Sequence, residues 1–282
     1  MIRFFLLSFC ALWIGVAQAA VRQMDFTVPV NDADGQHMQP ARVCRPASDA
    51  PARLVLINHG SPPSASARPT MTLGTCDAES TRWFLDRGYV VGFILRRGYG
   101  ATGGTWAENQ GGCSNPDDFH AGLESVRDMR AAVATMTQLP FIRRDGAIIV
   151  GQSAGGWGAI AYDSLPHPEV IAFVVMAGGR GGHENNQPES NCRPDVLEAT
   201  AGRYGATART PMLWIYAVND TFFGPDIAQA MYARFTAAGG RATFVQAPAF
   251  GRDGHGLFFG RGGSRIWGPY VERYLQAQGA AP

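Results

Sequence analysis

The chain contains no lysine: all 24 of its Lys+Arg positions are arginine. That absence removes several chemistries at once. A Schiff-base enzyme, a Ser–Lys dyad and a phosphate loop ending in Gly-Lys-Ser/Thr each need an ammonium group that can lose its proton or reach a phosphate. Guanidinium stays protonated and cannot stand in. Catalysis must therefore draw on Ser, His, Asp, Glu, Cys, Tyr or a metal. Charge is also sparse, with 17% of the 282 residues charged and a formal net charge of +1. The cations are scattered, which argues against nucleic-acid binding, a task that needs a basic face. No Cys-x2-Cys pair occurs among the five cysteines, so a zinc site is disfavoured, and neither metal nor cofactor is expected. Disorder is excluded by a hydrophobic content of 46%.

An apolar run near the N-terminus, residues 4–16, is 13 residues long. A bilayer needs about 20. Arg3 precedes the run and Ala17-Gln18-Ala19 follows it as a small-x-small cleavage pattern. Residues 1–19 therefore read as a signal peptide, with the mature chain starting at Ala20 and no stable membrane insertion after cleavage. Cys10 leaves with the signal. Cys44, Cys76, Cys113 and Cys192 remain, an even number that in an exported chain reads as two disulfides with three possible connectivities. A bacterial periplasm or exterior is the expected compartment.

Along residues 20–282, apolar β-branched runs alternate with helical patterns, as in a mostly parallel sheet covered by helices. Residues 23–30 and 37–45 flank Asn31-Asp32-Ala33-Asp34-Gly35 and predict an antiparallel hairpin. Strands are expected at 54–57, 89–95, 147–150, 170–176, 211–217 and 242–247, eight in all with the hairpin. Helices are expected at 117–137, 154–164, 225–238 and 264–276, the first opened by Asn115 as cap and Pro116 in the first turn. No repeat or linker intervenes, so one domain is expected. Two long irregular stretches break the alternation: residues 61–75, with three prolines, and 178–210, which could carry a small cap over a site.

Gly151-Gln152-Ser153-Ala154-Gly155 lies between an expected strand and an expected helix, the context of a nucleophile elbow. The serine there is forced into a strained turn, and only hydrogen side chains fit two residues to either side. Its base and orienting acid should follow in the order Asp or Glu, then His. His255, flanked by Gly254 and Gly256 at a late strand end, is the expected base. His183 also follows Ser153, but in the irregular stretch ahead of any suitable acid. Asp220 closes the strand before it, 67 residues after Ser153 and 35 before His255, and is the expected acid. Asp226 is explained by the first turn of a helix and Asp253 by the turn at His255. After the strand 54–57, the N–H of Ser61 is expected to form an oxyanion hole with that of Ala154, His59 being structural. Tyr99, Trp106, Trp157, Phe222, Phe223, Phe258 and Phe259 cluster near the expected strand ends. Tyr99, Trp157 and Phe222 are the pocket candidates, although Phe258 and Phe259 read equally as core.

These residues resemble the α/β-hydrolase superfamily across nearly the whole mature chain, and within it the dienelactone-hydrolase and prolyl-oligopeptidase-like branch. Arg97-Gly98-Tyr99-Gly100-Ala101-Thr102-Gly103 is similar to an Arg-Gly-x-Gly-x-Ser-Gly loop of that branch, with Thr102 in the serine position. Dienelactone hydrolases proper use cysteine where Ser153 stands, and prolyl oligopeptidases carry a propeller for which the chain has no room. The resemblance implies a three-layer α/β-hydrolase fold and acyl transfer by a Ser-His-Asp triad, but no named substrate; an exported hydrolase of small-molecule carboxylic esters is the leading expectation. A peptidase or amidase, and a binding protein that has lost turnover, are the alternatives. Substrate and oligomeric state are left open.

Overall fold

In the computed structural model, the structure describes residues 21–62, 64–102 and 105–282. The expected signal segment 1–19, Ala20 and Gly103 of the glycine-rich loop lie outside the described residues. Eight strands form one sheet: β1 (Val21–Asp32), β2 (Gly35–Pro46), β3 (Leu54–Asn58), β4 (Val90–Ile94), β5 (Ala147–Gln152), β6 (Val170–Met176), β7 (Met212–Ala217) and β8 (Ala242–Ala247). Their order across it is β1-β2-β4-β3-β5-β6-β7-β8. β1 and β2 form the expected antiparallel hairpin, β2 joins β4 antiparallel, and every other pairing is parallel.

Strands buried on both faces explain the continuous apolar runs. In β3, Leu54 and Leu56 join a core on one side of the sheet, and Val55 and Ile57 a core on the other. The first core is closed by α2 (Asp118–Met136), α3 (Ala154–Asp163), α4 (Pro194–Gly205) and α5 (Pro225–Ala237). The second is closed by α1 (Glu79–Leu85) and α6 (Ser264–Ala277). Helices on both faces of the sheet give three layers.

Three local expectations need correction. The cap of α2 is Asp117, not Asn115: its carboxylate accepts the His120 N–H at 3.0 Å. α1 was not expected, because its seven residues are too few to show a helical period. α4 lies inside the stretch 178–210, where Pro194 occupies its first turn and Leu197, Ala201 and Tyr204 form its buried stripe. The cysteines pair as Cys44–Cys76 and Cys113–Cys192.

The chain runs outward from β3 to β4 in one direction and onward through β5 to β8 in the other. Loops leaving β3 and β5 therefore diverge at their carboxyl ends, and such a switch point is where open α/β sheets leave a crevice. His59 and Ser153 follow directly from these two ends.

Candidate active site

One residue, Ser153, separates the end of β5 from the start of α3, with φ 54° and ψ −121°. A non-glycine residue held there costs about 1–3 kcal/mol, and its neighbours explain how it is held. A Cβ on Gly151 would overlap the Gly155 carbonyl oxygen. One on Gly155 would lie 2.5 Å from Asn58 O and 2.6 Å from His59 O. The Ser153 N–H donates to Met176 O at 3.0 Å, while its carbonyl accepts from Trp157 N at 2.9 Å and Gly179 N at 3.2 Å. The glycines of the motif are thus sterically required, and the serine is locked between β6 and the first turn of α3.

Asp220 lies past the end of β7 and is buried. Its Oδ1 accepts the N–H groups of Phe222 at 2.8 Å and Phe223 at 2.9 Å. His255 Nδ1 lies 3.1 Å from Oδ2 and 3.2 Å from Oδ1. An ionised carboxylate only accepts, so Nδ1 carries the proton and Nε2 is left with its lone pair. Asp253 turns the loop: its carboxylate accepts from His255 N at 2.9 Å and from the Thr221 N–H and hydroxyl at 3.1 and 2.9 Å. Gln152, next to the serine, donates to His255 O at 3.2 Å and ties this loop to the elbow. Asp226 stands in the first turn of α5.

The Phe222 ring stacks on the His255 imidazole, with centroids 4.2 Å apart. Its ring also stacks with His183, at 3.5 Å. His183 Nε2 is hydrogen-bonded to the Thr221 hydroxyl at 2.9 Å, so this histidine reaches the site through Phe222 and Thr221. Ser153 and His255 are not hydrogen-bonded to each other; the bond that joins the two loops runs from Gln152 to His255 O.

Beyond β3 the chain passes over the elbow, and a Cβ on Gly60 would lie 3.0 Å from that of Ser153. His59 anchors this passage. Its Nδ1 lies 2.7 Å from Gly60 O and donates to it, and its Nε2 accepts the Arg96 N–H at 3.2 Å. Burial, reinforced by the Arg96 charge, pushes its pKa down to about 3, and protonation would set Nε2–H against the Arg96 N–H. The Arg96 guanidinium donates to His59 O at 2.8 Å and pairs with Glu108. Glu108 also accepts from Arg180 at 2.7 Å and from the Tyr99 hydroxyl at 3.0 Å. Although burial opposes its charge, the two arginines hold this carboxylate far below the usual range.

Ser61, Ser153, Ala154 and Phe222 line a cleft of about 210 Å³, together with Arg68, Trp106, Arg180 and Phe223. Tyr99 and Trp157 do not line it. Both are fully buried: Tyr99 supports Glu108 from behind, and Trp157 packs on Tyr204 at 5.5 Å while its Nε1 donates to Asp118 O at 2.8 Å. Phe258 is core, packed on Trp267, and Phe259 is exposed. Residues 179–182 of the stretch 178–210 form one wall of the cleft, Gln110 and Gly111 lie in another, and Cys113–Cys192 joins the two segments. Arg68 and Arg180 were not anticipated. The only signal for Arg180 was its place between two glycine pairs; Arg68 gave none.

No protein-family model and no curated protein matches the chain. Solved structures do. The chain is similar to a Pyrococcus horikoshii acylaminoacyl peptidase at 16% identity and TM-score 0.60, with 92% of this chain but 41% of the peptidase covered. It is similar to the Pyrococcus furiosus esterase Pf2001 at 16% identity and TM-score 0.59, with 90% and 92% covered. A Klebsiella pneumoniae protein described as a dienelactone hydrolase matches at 15% identity and TM-score 0.59, with 92% and 99% covered. These proteins are α/β hydrolases, and the chain has their fold.

Proposed function

We propose that this α/β-hydrolase-fold chain is an exported serine hydrolase that cleaves carboxylic esters, with Ser153, His255 and Asp220 as its triad. The observation that carries this reading is the Asp220–His255 hydrogen bond beside a serine held at φ 54° on a strand-to-helix elbow. Nε2 of His255 takes the proton as Ser153 Oγ attacks the acyl carbonyl. The N–H groups of Ala154 and Ser61 receive the oxyanion, the former a helix-terminal N–H with no intrahelical partner. Protonated His255 then releases the alcohol and activates water to clear the acyl-enzyme. Asp220, which also takes two backbone N–H bonds, keeps the imidazole tautomer and offsets its charge.

Ester rather than amide substrates are favoured because the neighbours matched over nine-tenths of both chains are named an esterase and a dienelactone hydrolase. Export is supported by two disulfides together with the leader pattern in residues 1–19. No helix among the described residues is long and apolar enough to cross a membrane.

Ser153→Ala is expected to lower kcat on a short-chain aryl ester by about 10⁴-fold or more, and His255→Ala similarly. Steady-state hydrolysis by the purified variants checks this, and near-wild-type rates would reject the assignment. Matched ester and amide substrates on the wild-type protein separate esterase from amidase.

A further inference from the structure

His183 stands outside the triad and does not line the cleft, yet it reaches the base along two routes. The first is a stack of rings. Phe222 lies between the imidazoles of His183 and His255, with centroids 3.5 and 4.2 Å away and planes tilted by 12° and 24°. The second is a chain of hydrogen bonds. The Thr221 hydroxyl donates to Asp253 at 2.9 Å and therefore accepts from Nε2–H of His183, also at 2.9 Å, while Asp253 accepts the His255 N–H. The segment that carries His183 is clasped onto the same acid loop. Glu189 N donates to Thr221 O at 2.8 Å, and Asn191 Nδ2 donates to Phe222 O at 2.5 Å. His183 itself is held in the left-handed region, at φ 58° and ψ 51°. Glycine or asparagine would serve that backbone as well. The backbone therefore does not account for an imidazole at this position, whereas the ring contact does.

Resting on the Ser153–His255–Asp220 reading above, we propose that His183 is a positioning residue for the base. Asp220 meets Nδ1 with both carboxylate oxygens at nearly equal distance, which anchors one atom of the imidazole but leaves its plane free to rock. Phe223 touches the ring only at a tilt, with centroids 5.6 Å apart. Phe222 restrains the plane by its face, but it also borders the open cleft, into which it could turn. His183, packed on the opposite face of Phe222, holds it against His255. Nε2 of His255 thus keeps the direction from which it takes the Ser153 proton. His183 touches no reacting atom and acts through Phe222, while the Thr221–Asp253 chain steadies the backbone of the His255 loop.

Substitutions at His183 separate the ring from the hydrogen bond in steady-state hydrolysis of phenyl acetate by the purified protein. His183→Gln keeps an N–H for Thr221 but loses the ring, and should lower kcat by about 10- to 100-fold, the range expected of a displaced catalytic group. KM should stay within about twofold, because a loss felt only in the transition state lowers kcat and kcat/KM together. His183→Phe keeps the ring and loses the hydrogen bond, and its kcat should stay within about threefold of wild type. If His183→Gln fails to fold, as judged by circular dichroism, His183→Asn, which tolerates the left-handed backbone, decides by the same split. A folded Gln or Asn variant with wild-type kcat, or with a change confined to KM, overturns the inference. A folded His183→Phe as slow as the ring-less variant overturns it as well. Failure of the hydrolase reading looks different: the wild-type protein itself turns over no ester and Ser153 is not labelled by a fluorophosphonate.

Discussion

At the scale of single residues, the geometry depends on atoms that are missing as much as on those present. Gly155 faces two carbonyl oxygens at the end of β3, and a methyl group there cannot be accommodated by moving a side chain, because the obstacle is backbone. Gly155→Ala is expected to cost about 2–4 kcal/mol, as do other overpacked backbone sites, and to remove activity; urea unfolding with parallel assays would measure both. His59 gives a pH signature. Its pKa is pushed down to about 3 when folded, against the ordinary 6.5 of the unfolded chain. Between these values the unfolded state binds more protons, so the stability due to neutral His59 is full above about pH 6.5 and is lost as pH falls toward 3. The expected slope is up to about 1.4 kcal/mol per pH unit, and chemical denaturation from pH 7 to pH 4 should show it flattened in His59→Asn. Ser153, Asp220 and His255 were legible because strand ends and glycines marked them. Arg68 and Arg180 were not, because their places beside the elbow come from long-range packing, Arg68 over Trp106 and Arg180 against Glu108, which nothing local marks in a chain with 24 arginines.

At the scale of elements, the two disulfides do different things. Cys44–Cys76 joins β2 to the segment ahead of α1, in the core on the α1 and α6 side of the sheet. Cys113–Cys192 joins two segments that wall the cleft. Replacing either pair by serines should cost stability on the order of 2–4 kcal/mol. Only the Cys113/Cys192 variant should also lose ester turnover at temperatures where both remain folded, which melting curves and assays on the two double variants would separate. The number of disulfides could be read from the cysteine count, but not their pairing, since spacing alone left three schemes. α1 and α4 escaped prediction for related reasons. One is too short to show a period, and the other starts at a proline amid glycines and polar residues, its helical stripe visible only once Tyr204 is seen packed on Trp157 and Phe119.

At the scale of the whole molecule, the alternation of apolar runs and helical patterns was enough to give the eight strands and the parallel sheet, since a strand buried on both faces leaves a strong composition signal. The order of the strands was not written in any local segment, yet it is what brings the β3 and β5 ends side by side and sets the β7 and β8 loops against the elbow. One tie across the second core layer is a side chain of α6: the Tyr274 hydroxyl donates to Pro211 O at 2.6 Å and accepts the Phe173 N–H at 2.9 Å. Tyr274→Phe removes both bonds and leaves the buried Phe173 N–H without this partner, which should cost about 1–3 kcal/mol, to be read from denaturation midpoints, with kcat little changed. The central claim is that this fold presents an activated serine. Labelling the folded protein with a fluorophosphonate, followed by peptide mass mapping, tests it most directly. The adduct should fall on Ser153, disappear in Ser153→Ala and form far more slowly in His255→Ala; a folded wild-type protein that carries no adduct on Ser153 would contradict the account.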